Sequence, residues 1–152
     1  MIEALVAFHN IMRWLVLLAA LLAIGNALTG WLTSRPWTSR DRRVNLIFST
    51  VMDVQVTLGI FLWLRYVSSL PDGFGAAMRI GALRFFAIEH LFGMIVALIL
   101  IHIGQLAARG GATDAAKHRR AAIFFIGALL VILVSIPWPM MAYGRSLFPV
   151  FG

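Results

Sequence analysis

The stretch Arg84 to Gln105, RFFAIEHLFGMIVALILIHIGQ, limits this chain more than any other. About 20 mostly apolar residues, rising roughly 1.5 Å each, cross about 30 Å of hydrocarbon, so the segment is long enough to span a bilayer. It nonetheless carries Glu89 and His90 side by side near its start and His102 near its end. A charge at mid-membrane costs roughly 2.5–3.5 kcal/mol on insertion scales, so each of these groups requires a partner or a task.

The rest of the chain belongs to the same class. It is 61% hydrophobic and 12% charged, where a soluble domain carries about a quarter of its residues as charges. Apolar runs predict transmembrane helices over about 8–32, 44–67, 82–108 and 121–136, giving one all-α integral membrane domain over residues 1–152. The expected architecture is a four-helix bundle of two hairpins. The first run is too long for a signal h-region and ends in Arg35-Pro36 without a small-residue cleavage site, so it reads as a retained helix. No cysteine is present, which excludes thiolate-held iron–sulfur clusters, CxxCH haem attachment and disulfides. The formal charge of +7 sits in short loops between apolar runs, so nucleic acid is not an expected partner.

Those loops set the expected topology. SRPWTSRDRR (34–43) and ARGGATDAAKHRR (108–120) together hold eight of the 13 Lys and Arg residues, against five elsewhere. This bias places both loops in the cytoplasm of a bacterial inner membrane and both termini on the periplasmic side. The basic loops suit anionic lipid headgroups, with bound lipids the consequence, and His118 among them is expected to be solvated. Ser39 and Thr113 are candidate N-caps. Ala19, Ala23 and Ala27 form a small-residue face on the first helix. Asn45, Ser49, Thr50, Asp53 and Thr57 form a polar stripe on the second, expected to face protein. His9 with Ile24-Gly25-Asn26 and His90 with Ile103-Gly104-Gln105 suggest a faint internal repeat.

Depth along the helices suggests three pairings. Arg13 lies at about the depth of Glu89, and an ion pair between them would answer both burial costs, with Arg65 or Arg84 able to join. Asp53 and His102 differ in depth by only about 6 Å and are expected to form a buried polar contact or to anchor a quinone oxygen. His9 and His90 fall at one end on the first and third helices; if these are diagonal, two opposed imidazoles would suit a b-type haem, with Gly93 leaving room for the macrocycle. His102 is excluded from that site, because twelve residues separate it from His90 by about 18 Å. No Gly-rich phosphate loop, Ser/His/Asp set or HExxH motif is present, so hydrolytic and nucleotide chemistry lack support. A transporter or channel would need a polar path from Asp53 and His102 to Arg13 and Glu89, which the apolar run 94–101 interrupts.

With these residues in view, the chain resembles a family of small bacterial four-helix membrane proteins labelled cytochrome-b-like. The likeness lies in His9 with Arg13-Trp14, DVQVTLGIFLWL (53–64), LRFFAIEH (83–90), TDAAKHRR (113–120) and IPWP (136–139). The chain departs from that pattern at Asp53, where the family carries a His. The resemblance implies an accessory subunit of a quinol-oxidising electron-transfer complex such as alternative complex III. The expectation is therefore a non-catalytic subunit with no cofactor of its own, packed against larger subunits with quinone nearby. The alternative is a small cytochrome with a haem b between His9 and His90.

Overall fold

Short-range capping decides where two of the long helices begin. In the computed structural model, which describes residues 2–70 and 72–148, α1 runs over Ile2–Leu32 and α2 over Ser39–Ser68. The cap of α2 is Thr38, not Ser39: the Asp41 carboxylate accepts from both the Thr38 N–H and its hydroxyl at 2.7 Å. Asp41 is fully buried and also takes hydrogen bonds from Arg35 at 2.5 Å and Asn26 at 2.9 Å, tying the first loop to both helices. A five-residue helix, α3, occupies Gly73–Ala77. The third span is continuous over Gly81–Arg109 but not uniform. It opens as α4 (Gly81–Arg84), widens into one π-helical turn over Phe85–Glu89, and continues as α5 (His90–Arg109). The last helix, α6, covers Asp114–Ser135, and the Thr113 hydroxyl accepts from the Ala116 N–H at 3.2 Å, as a cap there should. Pro137 then prevents its continuation.

Helices α2 and α6 thus begin earlier than the apolar runs, because capped polar turns extend them beyond the hydrocarbon-length segment; α1 also begins earlier, at Ile2. Four spans are long and apolar enough to cross a membrane. Large apolar side chains such as Leu22, Ile47, Phe61, Ile99 and Val134 face outward around them, a surface that suits lipid and not water. The chain is an all-α, multi-pass membrane protein.

Contacts run α1 to α2, α2 to α5, α5 to α6 and α6 back to α1, so α1 and α5 occupy opposite corners. Helix α1 turns Val16, Ala20, Ala23, Ala27 and Gly30 inward, with Ala19 only half-buried at the edge of that stripe. Gly104 lets Phe124 and Phe125 seat on α5; a Cβ there would lie 2.8 Å from the Phe124 Cβ. Gly25, its counterpart in the suggested repeat, has nothing near it, so the two Gly-amide triplets do not play equivalent roles. Across the other diagonal Phe48 and Phe125 meet edge-to-face at 5.3 Å and fill the half of the bundle nearest the basic loops.

Two surface expectations are corrected. The polar stripe of α2 divides: Asn45 and Ser49 are buried, while Thr50 and Thr57 are exposed. Its members span more than one face, and the apolar Phe48, Met52 and Val56 claim the core side. His118 is not solvated but fully buried, edge-on to Trp37 at 4.8 Å and seated against Gly30, where any Cβ would strike its ring. Because α6 starts at Asp114, His118 already lies in the second turn on the packed face.

Candidate functional site

At the end of the bundle away from the basic loops the large aromatics Phe85 and Tyr143 stack on each other without lining the space between the helices. Instead all four spans surround a cavity of about 460 Å³, within the size range of sites that take a drug-sized ligand. His9 from α1 and His90 from α5 both line it, with ring centres 6.3 Å apart and planes at 77°. Their helices are diagonal, so the rings meet across the bundle axis and not along a seam.

Each imidazole is held by a neighbour that sequence reasoning does not single out. His90 Nδ1–H donates to the Ser135 carbonyl at 2.7 Å, leaving Nε2 as the acceptor nitrogen of that tautomer. The approach depends on Gly93, since a Cβ there would collide with the Ser135 side chain. The room expected at Gly93 for a macrocycle is taken by α6 instead. On the α2 wall Gly59 leaves room beside His9, where a Cβ would stand 3.2 Å from Cε1. Gln55, one turn before Gly59, is buried; its Nε2 donates to the His9 carbonyl at 3.1 Å and lies 3.4 Å from the His9 ring Nε2, while His9 Nδ1 is buried without a partner among the described residues. Gln55 and Gly59 sit four apart on one face of α2, a spacing that DVQVTLG displays but that only a neighbouring histidine makes meaningful.

The π-helical turn sets the register of this corner. It ends at Glu89, directly before His90, and such turns are frequent at functional sites because the extra residue rotates the helix beyond it. Around it, Trp63 Nε1–H donates to the Ala87 carbonyl at 2.8 Å and the Tyr66 hydroxyl to the Leu83 carbonyl at 3.1 Å. Phe85 stacks on Tyr143 at 3.9 Å, which brings the segment after α6 over the same end.

The expected Arg13–Glu89 ion pair does not form. Glu89 pairs with Arg84 at 2.7 Å on the outside of the bundle, both side chains about half exposed. Adjacent helical residues point about 100° apart, and with His90 turned inward Glu89 faces out. Arg13 is buried, donating from Nη2 to the Leu147 carbonyl at 2.6 Å beside Trp14 Nε1, which shares that acceptor at 3.1 Å. Asp53 and His102 do meet, at 2.8 Å, but each is 46% exposed, so the contact lies on the outer side of the α2–α5 seam and not in the core. The inward polar link across that seam is Gln105, which donates to the Asn45 carbonyl at 2.9 Å and to the Ser49 hydroxyl.

No family model, curated protein or solved structure matches this chain.

The arrangement restricts what the cavity can hold. Among the described residues no group of three or more His, Asp or Glu side chains converges on a point; the cavity offers two imidazoles, His9 and His90. Two imidazoles binding one metal at roughly 2 Å, with about 1 Å more to each ring centre, stand about 6 Å apart, close to the separation of His9 and His90. The His90–Ser135 contact is also the arrangement in which a ligating histidine donates its second nitrogen to a carbonyl, which fixes tautomer and ring orientation.

Proposed function

We propose that this chain is a small membrane cytochrome of b type, in which His9 and His90 would hold one haem. The observation that carries the reading is the 6.3 Å separation of the two rings inside the cavity. Haem b bound there would supply one-electron redox chemistry. The chain's own contribution is to hold the ligands: Gln55 positions His9, the Ser135 carbonyl orients His90, and Gly59 keeps the space beside His9 open. Apolar walls from Met52, Met94 and Ile132 exclude water and raise the energetic weight of every charge near the site. With the basic loops in the cytoplasm of a bacterial inner membrane, the site lies toward the outer side.

The test is an absorption spectrum of the protein purified from membranes of cells supplied with haem. A Soret band with a sharp low-spin reduced spectrum is expected, and it should be lost or converted to high spin in both His9→Ala and His90→Ala. A colourless protein that also fails to take up added haemin overturns the reading.

A second reading, a non-catalytic subunit of a respiratory or photosynthetic quinol-oxidising complex, has one observation in its favour. The Asp53–His102 pair faces lipid about 15 Å along α2 from Arg43, and a neighbouring subunit would cover it at lower cost than hydrocarbon does. Internal neutralisation of Glu89 by Arg13, which would also have favoured it, is absent. Native mass spectrometry of the complex extracted in mild detergent decides it: a particle containing this chain alone removes it.

A further inference from the structure

Arg13 is 7% exposed and its guanidinium remains ionised under all ordinary conditions. Among the described residues its one hydrogen bond is to a neutral carbonyl, and Nε is buried without any partner. The chain's six acids are accounted for elsewhere. Asp41 pairs with Arg35, Glu89 with Arg84, Asp53 with His102 and Asp114 with Lys117, while Glu3 and Asp72 are exposed and pair with nothing among the described residues. A buried cation without a counter-ion is strongly unfavourable at this depth.

Arg13 lines the cavity, as do Arg65 and Arg145, and no Asp or Glu does. On a helix the Cα–Cβ bond leans toward the N-terminus, so Arg13 reaches toward the level of His9, one turn earlier on the same face. Arg145 lies over the Phe86 ring at 5.1 Å, at the same end. An apolar chamber with cations at one end and no anions calls for an occupant that is itself apolar with anionic groups at one edge.

We infer that the cavity holds its ligand partly through carboxylates, with Arg13 as the buried counter-cation and Arg65 and Arg145 as the more exposed ones. This rests on the haem reading and deepens it, since the carboxylates would be the two propionates.

The test compares protohaem IX with its dimethyl ester, which keeps the macrocycle and removes both negative charges. Each is titrated into the detergent-solubilised full chain and followed at the Soret band. The acid is expected to bind at least roughly tenfold more tightly than the ester, the scale of one charged hydrogen bond. Arg13→Gln should reduce that preference several-fold and Arg13→Lys should restore most of it. Equal affinity for acid and ester in the wild-type protein, or an undiminished preference in Arg13→Gln, overturns the inference while leaving the haem reading intact. Binding of neither porphyrin overturns both. The wild-type comparison does not depend on any variant folding.

Discussion

His9 and His90 stand on helices at opposite corners of the bundle, yet their ring centres are 6.3 Å apart. The approach requires two absences of bulk: Gly59 leaves space beside the His9 ring, and Gly93 lets α6 close until the Ser135 carbonyl meets His90. The Phe48–Phe125 contact fills the opposite half; at this end Phe85 stacks on Tyr143 instead, and neither lines the cavity.

Gly59→Leu should therefore remove the site without unfolding the protein. Even a Cβ at this position stands 3.2 Å from His9, and a leucine would occupy the chamber itself. Haem content per chain is expected to fall at least tenfold, with helicity by circular dichroism unchanged. Full haem retention would mean that the cavity is not where haem binds.

At the basic-loop end, Gly30 and His118 make a matched pair. Gly30→Ala drives a methyl group into the buried imidazole and should cost about 1–3 kcal/mol, as overpacking does. His118→Ala in the same chain should recover most of that loss. Thermal unfolding of the two single variants and the double variant in detergent forms the cycle that reads the coupling.

Glu89 should matter little to stability. Its pair with Arg84 is half exposed, and pairs of that kind contribute about 0.2–1 kcal/mol. A double-mutant cycle on Arg84 and Glu89 should return a coupling in that range, and one on Arg13 and Glu89 a value near zero. Strong coupling between Arg13 and Glu89 would contradict the outward turn of the carboxylate.

The Asp53–His102 pair predicts an asymmetry. Removing both as Asp53→Leu with His102→Leu should leave stability unchanged or raise it, because neither polar group then faces hydrocarbon. Removing His102 alone strands the carboxylate near mid-membrane and should cost about 2–3 kcal/mol. Unfolding in lipid bicelles measures both, and equal effects of the single and double replacements would show that a partner, not lipid, covers the pair.

Much of this protein is legible without coordinates. Depth arithmetic along two helices brings Asp53 to His102, because rise per residue is constant whatever the packing. Thr113 as a cap comes from local hydrogen bonding alone. The same arithmetic fails for Arg13 and Glu89 because it gives height and not direction. Glu89 stands at a suitable height but turns outward, at the end of a π-helical turn that no residue pattern announces. Gln55, Gly59 and Ser135 escape sequence reasoning for a related reason. Each matters through what an adjacent helix presents to it, and a carbonyl such as that of Ser135 leaves no trace in residue identity.

Sequence by itself determined the class and the count: four apolar runs of membrane-crossing length admit one kind of solution, since hydrophobic length and backbone satisfaction depend only on local chain chemistry. Only the tertiary structure decided which polar groups meet. Rotation of each helix about its axis is set by side-chain packing between helices, and that rotation turned His90 inward with His9, Glu89 outward to Arg84, and left Arg13 buried beside a cavity.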